Sequence, residues 1–454
     1  MGKRPEMDMT HGPLFKKIWA FTLPLMLSGI LQLLFNAADM VVVGRAVGNT
    51  ALAAVGCTGS MVNLIVNLFM GFSVGSSVVV AQLYGAKREK DVSEAVHTSM
   101  LISLIGGIFI GLLGFFLCHP LLLLMGTPSN VINHSVLYVR IYFCGMPAIG
   151  IFNFGSAVLR AIGETRKPML YLLFAGIINV LLNLFFVLVF GLGVAGVSLA
   201  TVLSQCVAAF LTVRYLIRFD GCIKFSFHNL RISRQRLLNI IRIGLPAGIQ
   251  SSLFSISNMF LQSAINSFGS VVIAGNTAAN NLEGFIYTSM NAFSQAAVTF
   301  TGQNVGANRW ERVRRVYIAC AISVTLTGLT MGLLLFAAGK PLLSLYNTNP
   351  DVIQAGSTRV LWISLPYFLC GLMETTVGML RGMGKSVMPM IVSLMGACVF
   401  RIVWIYTLFT LWHQIWVVYA SYPVSWLLTF LIQFTCFCAI YRRRIKSLVH
   451  DNNC

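Results

Sequence analysis

Long apolar runs, separated by short polar stretches, cover nearly the whole chain. Twelve of them fall near 18–43, 51–82, 93–117, 131–158, 168–190, 193–217, 237–268, 271–304, 313–338, 352–380, 386–411 and 414–441. Each reaches the roughly 20 residues that a helix needs to cross about 30 Å of hydrocarbon. The pattern predicts an all-α integral membrane protein with twelve transmembrane helices. The first run is too long for a cleavable leader, and no small-residue cleavage site follows a short apolar stretch. The only substantial polar connection is 218–236, with Arg218, Asp220, Lys224, Arg231, Arg234 and Arg236.

The runs repeat. Leu159-Arg160-Ala161-Ile162-Gly163 with Pro168-Met169 returns 221 residues later as Leu380-Arg381-Gly382-Met383-Gly384 with Pro389-Met390. Gln82, Gly85 and Ala86 answer to Gln303, Gly306 and Ala307, while Pro24 and Asn36 answer to Pro246 and Asn258. Six spans per half bring both halves into the membrane in the same sense, which relates them by an axis along the membrane normal. The expected organisation is two parallel-repeat six-helix bundles, 1–217 and 237–454, joined by a cytoplasmic linker over 218–236.

Composition agrees with a membrane protein. Of 454 residues, 57% are hydrophobic and 10% charged, against about 25% charged in a soluble domain. The net charge of +19 would suit nucleic acid, but its distribution does not. With a cytoplasmic N-terminus, every Lys and Arg except Arg45, Arg140, Lys340, Arg359 and Arg401 falls on a cytoplasmic segment. That is the positive-inside pattern, which places both termini in the cytoplasm and the chain in the plasma or inner membrane. The eleven cysteines are scattered without a CxxC pair, so no disulfide and no metal site is expected. His97, His119, His134 and His413 lack metal-ligand spacing, and no catalytic set converges, so an enzyme is not expected. Gly384-Lys385-Ser386 mimics the end of a phosphate loop, but Met379 stands where its first glycine belongs. The energy source is therefore expected to be an ion gradient.

Three of the thirteen acids lie at membrane depth: Asp39, Glu283 and Glu374. An intramembrane acid is costly against lipid and is read first as functional. Asp39 sits about 9 Å below Arg45 at helical rise. Asn183, Asn179 one turn before it, and Thr201 fall at similar depth, and together they offer a proton-binding acid or an oxygen-lined sodium site. Ordinary interhelical hydrogen bonds explain the amides and hydroxyl equally simply. Pro24 can kink the same span, as a hinge or as a static bend. Glu283 and Glu374 either face a cavity and attract cations or pair with an intramembrane arginine such as Arg359 or Arg401. Asn36, Gln250, Asn258 and Met290 complete the candidate substrate-cavity residues. Soft side chains such as Met290 suit an adaptable pocket but also fill any helical core.

LRAIGETRKPM and LRGMGKSVMPM resemble the corresponding phrases of the multidrug and toxic compound extrusion (MATE) family. So do FTLPLMLSGILQLLFNAADMVVVG in span one, AQLYGAKR after span two and GLPAGIQSSLFSISNMF in span seven. The resemblance covers nearly the whole chain. It implies a V-shaped central cavity with alternating access, and export of organic cations and other amphipathic small molecules against inward proton or sodium flow. Pro24 and Asp39 match the span-one proline and aspartate of the DinF-like subgroup, in which protonation of the aspartate is linked to bending of that helix. Asn179 and Thr201 match the polar network around it. Two departures matter. Asn183 stands where some members carry a second aspartate, and span seven has Gln250 but no acid where NorM-like members carry a glutamate. Both favour protons over sodium. The resemblance implies no cofactor beyond the coupling ion, a monomer in the bilayer, and small-molecule partners only. A flippase for lipid-linked precursors or polysaccharide, of the same superfamily, is the alternative, supported by Arg140, Arg359 and Arg401.

Overall fold

A computed structural model describes residues 7–452. Those residues are helical with short corners, and in chain order the helices are α1 (Leu14–Val42), α2 (Asn49–Gly85), α3 (Glu89–Leu124), α4 (Ser129–Cys144), α5 (Met146–Ala161), α6 (Arg166–Leu184) and α7 (Gly193–Arg218). The second series is α8 (Arg234–Asn266), α9 (Ser270–Gly306), α10 (Trp310–Ser344), α11 (Pro350–Ile363), α12 (Tyr367–Gly382), α13 (Val387–Ser393), α14 (Phe400–Trp404) and α15 (Ile415–Asn452).

Among the described residues nine helices are long and apolar enough to cross a membrane, or eleven if each of two bent pairs is one span. The bent pairs are the runs expected at 131–158 and 352–380. One bends by 48° between α4 and α5, the other by 51° between α11 and α12. Pro147 and Pro366 lie at those breaks, where a missing N–H and the proline ring interrupt the helical ladder. The remaining long helix is α9, which at 37 residues is about 55 Å long. Asn276, Thr277, Asn280, Asn281 and Glu283 make it too polar for a simple hydropathy criterion.

The repeated phrase is a helix stop. Gly163 donates to the Arg160 carbonyl at 2.9 Å and Glu164 to the Leu159 carbonyl at 2.9 Å, and Gly163 has φ +93°. Gly384 donates to Arg381 at 2.8 Å and Lys385 to Leu380 at 2.9 Å, with Gly384 at φ +77°. This is the Schellman closure, whose left-handed position suits glycine because other side chains are strained there. Left-handed positions also recur at Gly48 and Gly269, which start α2 and α9, and at Lys87 and Asn308, which end them. All three pairs keep the 221-residue offset.

By packing the chain forms two compact units. Unit 1 holds residues 1–8 and 27–252, and unit 2 holds residues 9–26 and 253–454. The division thus runs through α1 and α8 rather than through the connection at 218–236. The repeat division and the packing division are different partitions of the chain.

In unit 1, α2 and the start of α8 meet at glycines on both sides, Gly71 and Gly75 against Gly244 and Gly248. A Cβ on Gly71 would lie 2.6 Å from the Gly244 carbonyl oxygen. Small residues four apart on each helix allow such backbone contact in lipid. The 219–233 connection is also pinned to unit 1. Ile223 and Phe225 are buried, Ser226 N–H donates to His97 Nε2 at 3.1 Å, and Arg231 and Arg236 pair with Glu94 and Asp91 on α3.

Candidate functional site

Asp39 lies near the end of α1, and a π turn over Val43–Val47 follows it within one helical turn. Asn179 and Asn183 share one face of α6, and a second π turn over Phe185–Val189 follows them. Gly48 N–H reaches the Val43 carbonyl at 3.1 Å and Phe190 N–H the Phe185 carbonyl at 3.3 Å, closing the five-residue loops. An inserted residue rotates everything beyond it, and such turns gather at functional sites. The repeat keeps the second of these, as a π turn over Ile405–Phe409, and the second half adds another over Leu394–Val399 on the other side of α14.

The four polar side chains that depth alone had grouped are in contact. Asn183 Nδ2 donates to Asp39 Oδ1 and also approaches Asn179 Oδ1 at 3.3 Å. Asn179 Nδ2 donates to Thr201 Oγ1 at 3.3 Å. Thr201 Oγ1 donates to the Val197 carbonyl of its own helix at 3.0 Å. Asn183 is fully buried and Asn179 nearly so, while Asp39 and Thr201 are half-buried. Among the described residues no ion pair includes Asp39, and Asn183 Oδ1 is buried without a hydrogen-bond partner. The relay therefore contains one carboxylate with no protein cation and one idle acceptor beside it.

Val43, Ala51, Val187, Val194 and Val197 form an apolar cluster with Tyr138 packed against it. Val43 and Val187 come four residues after Asp39 and Asn183, and Val197 four before Thr201. The cluster thus lies one helical turn from the relay, toward the 190–193 corner. Pro24 is buried within α1, in the stretch assigned to unit 2.

The other two intramembrane acids behave differently. Glu283 on α9 is 1% exposed and Arg359 on α11 is 3% exposed. Arg359 donates from Nε to Glu283 Oε1 at 2.9 Å and from Nη2 to Oε2 at 2.7 Å. Nη1 reaches Asn276 Oδ1 at 2.6 Å and Nη2 reaches Asn280 Oδ1 at 3.1 Å. The rings of Tyr419 and Tyr422 lie 5.8 and 5.5 Å from the guanidinium carbon. The structure thus gives Glu283 an arginine partner, one of the two arrangements that the sequence left open. Glu374 on α12 is half-buried, and its backbone carbonyl accepts from Ser294 Oγ at 2.8 Å.

The remaining cavity candidates belong to both units. Asn36 is exposed and Gln250 buried in unit 1. Asn258 is exposed in unit 2. Met290 is 1% exposed there, its sulfur filling the space left by Gly328 and Gly371. The sequence reading missed Tyr422 and Trp426, one turn apart on α15, which stack on Arg401. Their i, i+4 spacing beside an intramembrane arginine was the available signal.

The MatE family model matches residues 24–185 and again 246–407. The chain belongs to the MatE family. The two matches start 222 residues apart, which restates the repeat. "Probable multidrug resistance protein YpnP" of Bacillus subtilis (strain 168) is 28% identical over 87% of this chain and 88% of its own length. "Probable multidrug resistance protein YoeA" of the same strain is 29% identical over 82% of each chain. A crystal structure of MATE in complex with MaL6 superposes with a TM-score of 0.90 at 22% identity, over 99% of this chain and 100% of the other. MatE proteins are membrane transporters rather than enzymes, and this chain is a multi-pass, all-helical member built from two repeats.

Proposed function

We propose that this MatE protein is a proton-coupled antiporter that exports amphipathic small molecules, with Asp39 as the proton-carrying group. The observation that carries the reading is the Asn183 amide: its N–H occupies one oxygen of a carboxylate that has no protein cation. A sodium ion needs oxygens turned toward it, and an N–H donor in that position repels it. A proton needs only one lone pair. Once protonated, Asp39 becomes a donor, and a rotated Asn183 amide offers the idle Oδ1 to accept from it. The bonds to Asn179 and Thr201 then rearrange through the same amide.

Protonation drives transport only if it changes the relative stability of two conformers. Pro24 and the π turn after Asp39 are the places where α1 departs from a regular ladder, and they are the proposed hinge elements. The Val43 cluster separates the relay from the 190–193 corner, which is the outer end under the positive-inside orientation. Asn36, Gln250, Asn258, Met290 and Glu374 are proposed to contact substrate, and Glu283 to act through its pair with Arg359. The bundles 1–217 and 237–454 are the proposed moving halves, in a monomer of the plasma or inner membrane with cytoplasmic termini.

The test is efflux of a fluorescent amphipathic cation from loaded right-side-out vesicles under an imposed pH gradient, acidic outside, at low and high sodium. Gradient-driven efflux that ignores sodium and disappears in Asp39→Asn is expected. Undiminished gradient-driven efflux in Asp39→Asn overturns the assignment.

A further inference from the structure

Unit 2 buries two arginines and treats them unequally. Arg359 has acceptors for its donors: both oxygens of Glu283, with Asn276 and Asn280. Arg401 on α14 is equally buried, at 3% exposure. Its Nε donates to Ser425 Oγ at 2.8 Å, and its Nη2 is buried with no hydrogen-bond partner. Among the described residues no ion pair includes Arg401.

What surrounds Arg401 is aromatic. Its guanidinium carbon lies 4.4 Å from the ring centre of Tyr422 and 5.8 Å from that of Trp426. Trp426 packs in turn on Tyr367 at 5.0 Å. These rings stabilise the cation through their faces, but none of them gives Nη2 an acceptor. A buried guanidinium costs several kcal/mol unless its charge and donors are met, and Ser425 meets one donor.

The unmet need is specific. Guanidinium N–H groups in a fixed fork match the paired oxygens of a carboxylate or phosphate. The aromatic wall favours an anion carried on a flat apolar body over a hydrated inorganic one. We propose that Arg401 is the binding point for an oxyanion, carboxylate or phosphate, borne on an aromatic or amphiphilic molecule. Resting on the transporter reading above, this extends the substrate range from organic cations to amphiphilic anions and zwitterions. Unit 2 then recognises the anionic group by a side chain distinct from the Asp39 relay of unit 1.

The probes are 1-naphthoate and 1-naphthylmethylammonium, which share a ring system and differ in charge. Binding to the full chain is measured in maltoside micelles without phospholipid. The parent is expected to bind naphthoate and to melt at higher temperature in its presence, which needs no variant. Arg401→Gln is expected to weaken naphthoate by roughly tenfold or more, the usual loss for a charge-assisted hydrogen bond. Arg401→Lys, which keeps the charge but loses the fork, is expected to lose less. The ammonium probe is expected to be unaffected by either substitution. Adding phosphatidylglycerol separates two sources of the anion. Displacement of naphthoate assigns the site to a lipid phosphate, undisturbed binding to a soluble solute, and both support an oxyanion site. A parent that does not bind naphthoate, or an Arg401→Gln variant that binds it as tightly or loses both probes equally, overturns the proposal. Failure here with intact pH-driven efflux removes only the anion site. Intact naphthoate binding without pH-driven efflux removes only the antiport reading.

Discussion

Substituting Glu283 by Gln leaves Arg359 charged and 3% exposed, with Asn276, Asn280 and two tyrosine rings as its remaining company. Two charge-assisted hydrogen bonds, at 2.9 and 2.7 Å, then end on a neutral amide instead of a carboxylate. Breaking a buried pair from one side costs about 3–5 kcal/mol, because the surviving charge is stranded. Removing both charges is far gentler, since well-packed neutral groups often replace such a pair without net loss. The expected pattern is a large loss for Glu283→Gln, a similar loss for Arg359→Met, and recovery of most of it in the double variant. For a unit of this size the single losses correspond to a melting shift of about 6–20 °C. Thermal unfolding in detergent, followed by fluorescence-detected size exclusion, measures all three. Additive losses in the double variant refute the reasoning, because two side chains joined by a pair of charge-assisted hydrogen bonds must couple.

Two further outcomes follow from the same geometry. Asn183→Asp replaces the amide donor facing Asp39 with a second carboxylate, and efflux is expected to become sodium-stimulated; efflux that still ignores sodium contradicts the role given to that N–H. Gly163→Ala forces a side chain into φ +93° and places its Cβ 2.6 Å from that of Met7. It is expected to cost at least about 1–2 kcal/mol, read as a lower melting temperature, and an unchanged melt contradicts the helix-stop account.

The helices were legible because apolar runs of spanning length leave few other folds. The repeat was legible because its landmarks are backbone requirements, above all the left-handed glycines Gly163 and Gly384. Depth in the membrane could be counted from Arg45 and Phe190, which grouped Asp39, Asn179, Asn183 and Thr201 by level, and the structure joins them by hydrogen bonds. Their azimuth could not be counted. It depends on how α1, α6 and α7 rotate against each other, and the π turns at Val43–Val47 and Phe185–Val189 leave no residue signature. Glu283 is a similar case. The sequence named Arg359 and Arg401 as possible partners, but only packing, against acceptors of α9 for Arg359 and against Ser425 of α15 for Arg401, separates a saturated arginine from one with an idle Nη2. The close approach of Gly71 and Gly75 to Gly244 and Gly248 was present as spacing and went unread, since glycines are abundant in every span.

The central claim is that Asp39 carries the proton which substrate displaces. Purified protein in weakly buffered detergent solution, with a pH indicator, measures it directly. Adding a transported cation to the parent is expected to release protons in proportion to substrate bound, and none from Asp39→Asn at equal occupancy, since two ligands favouring opposite conformers must expel one another. Equal proton release from Asp39→Asn contradicts the claim.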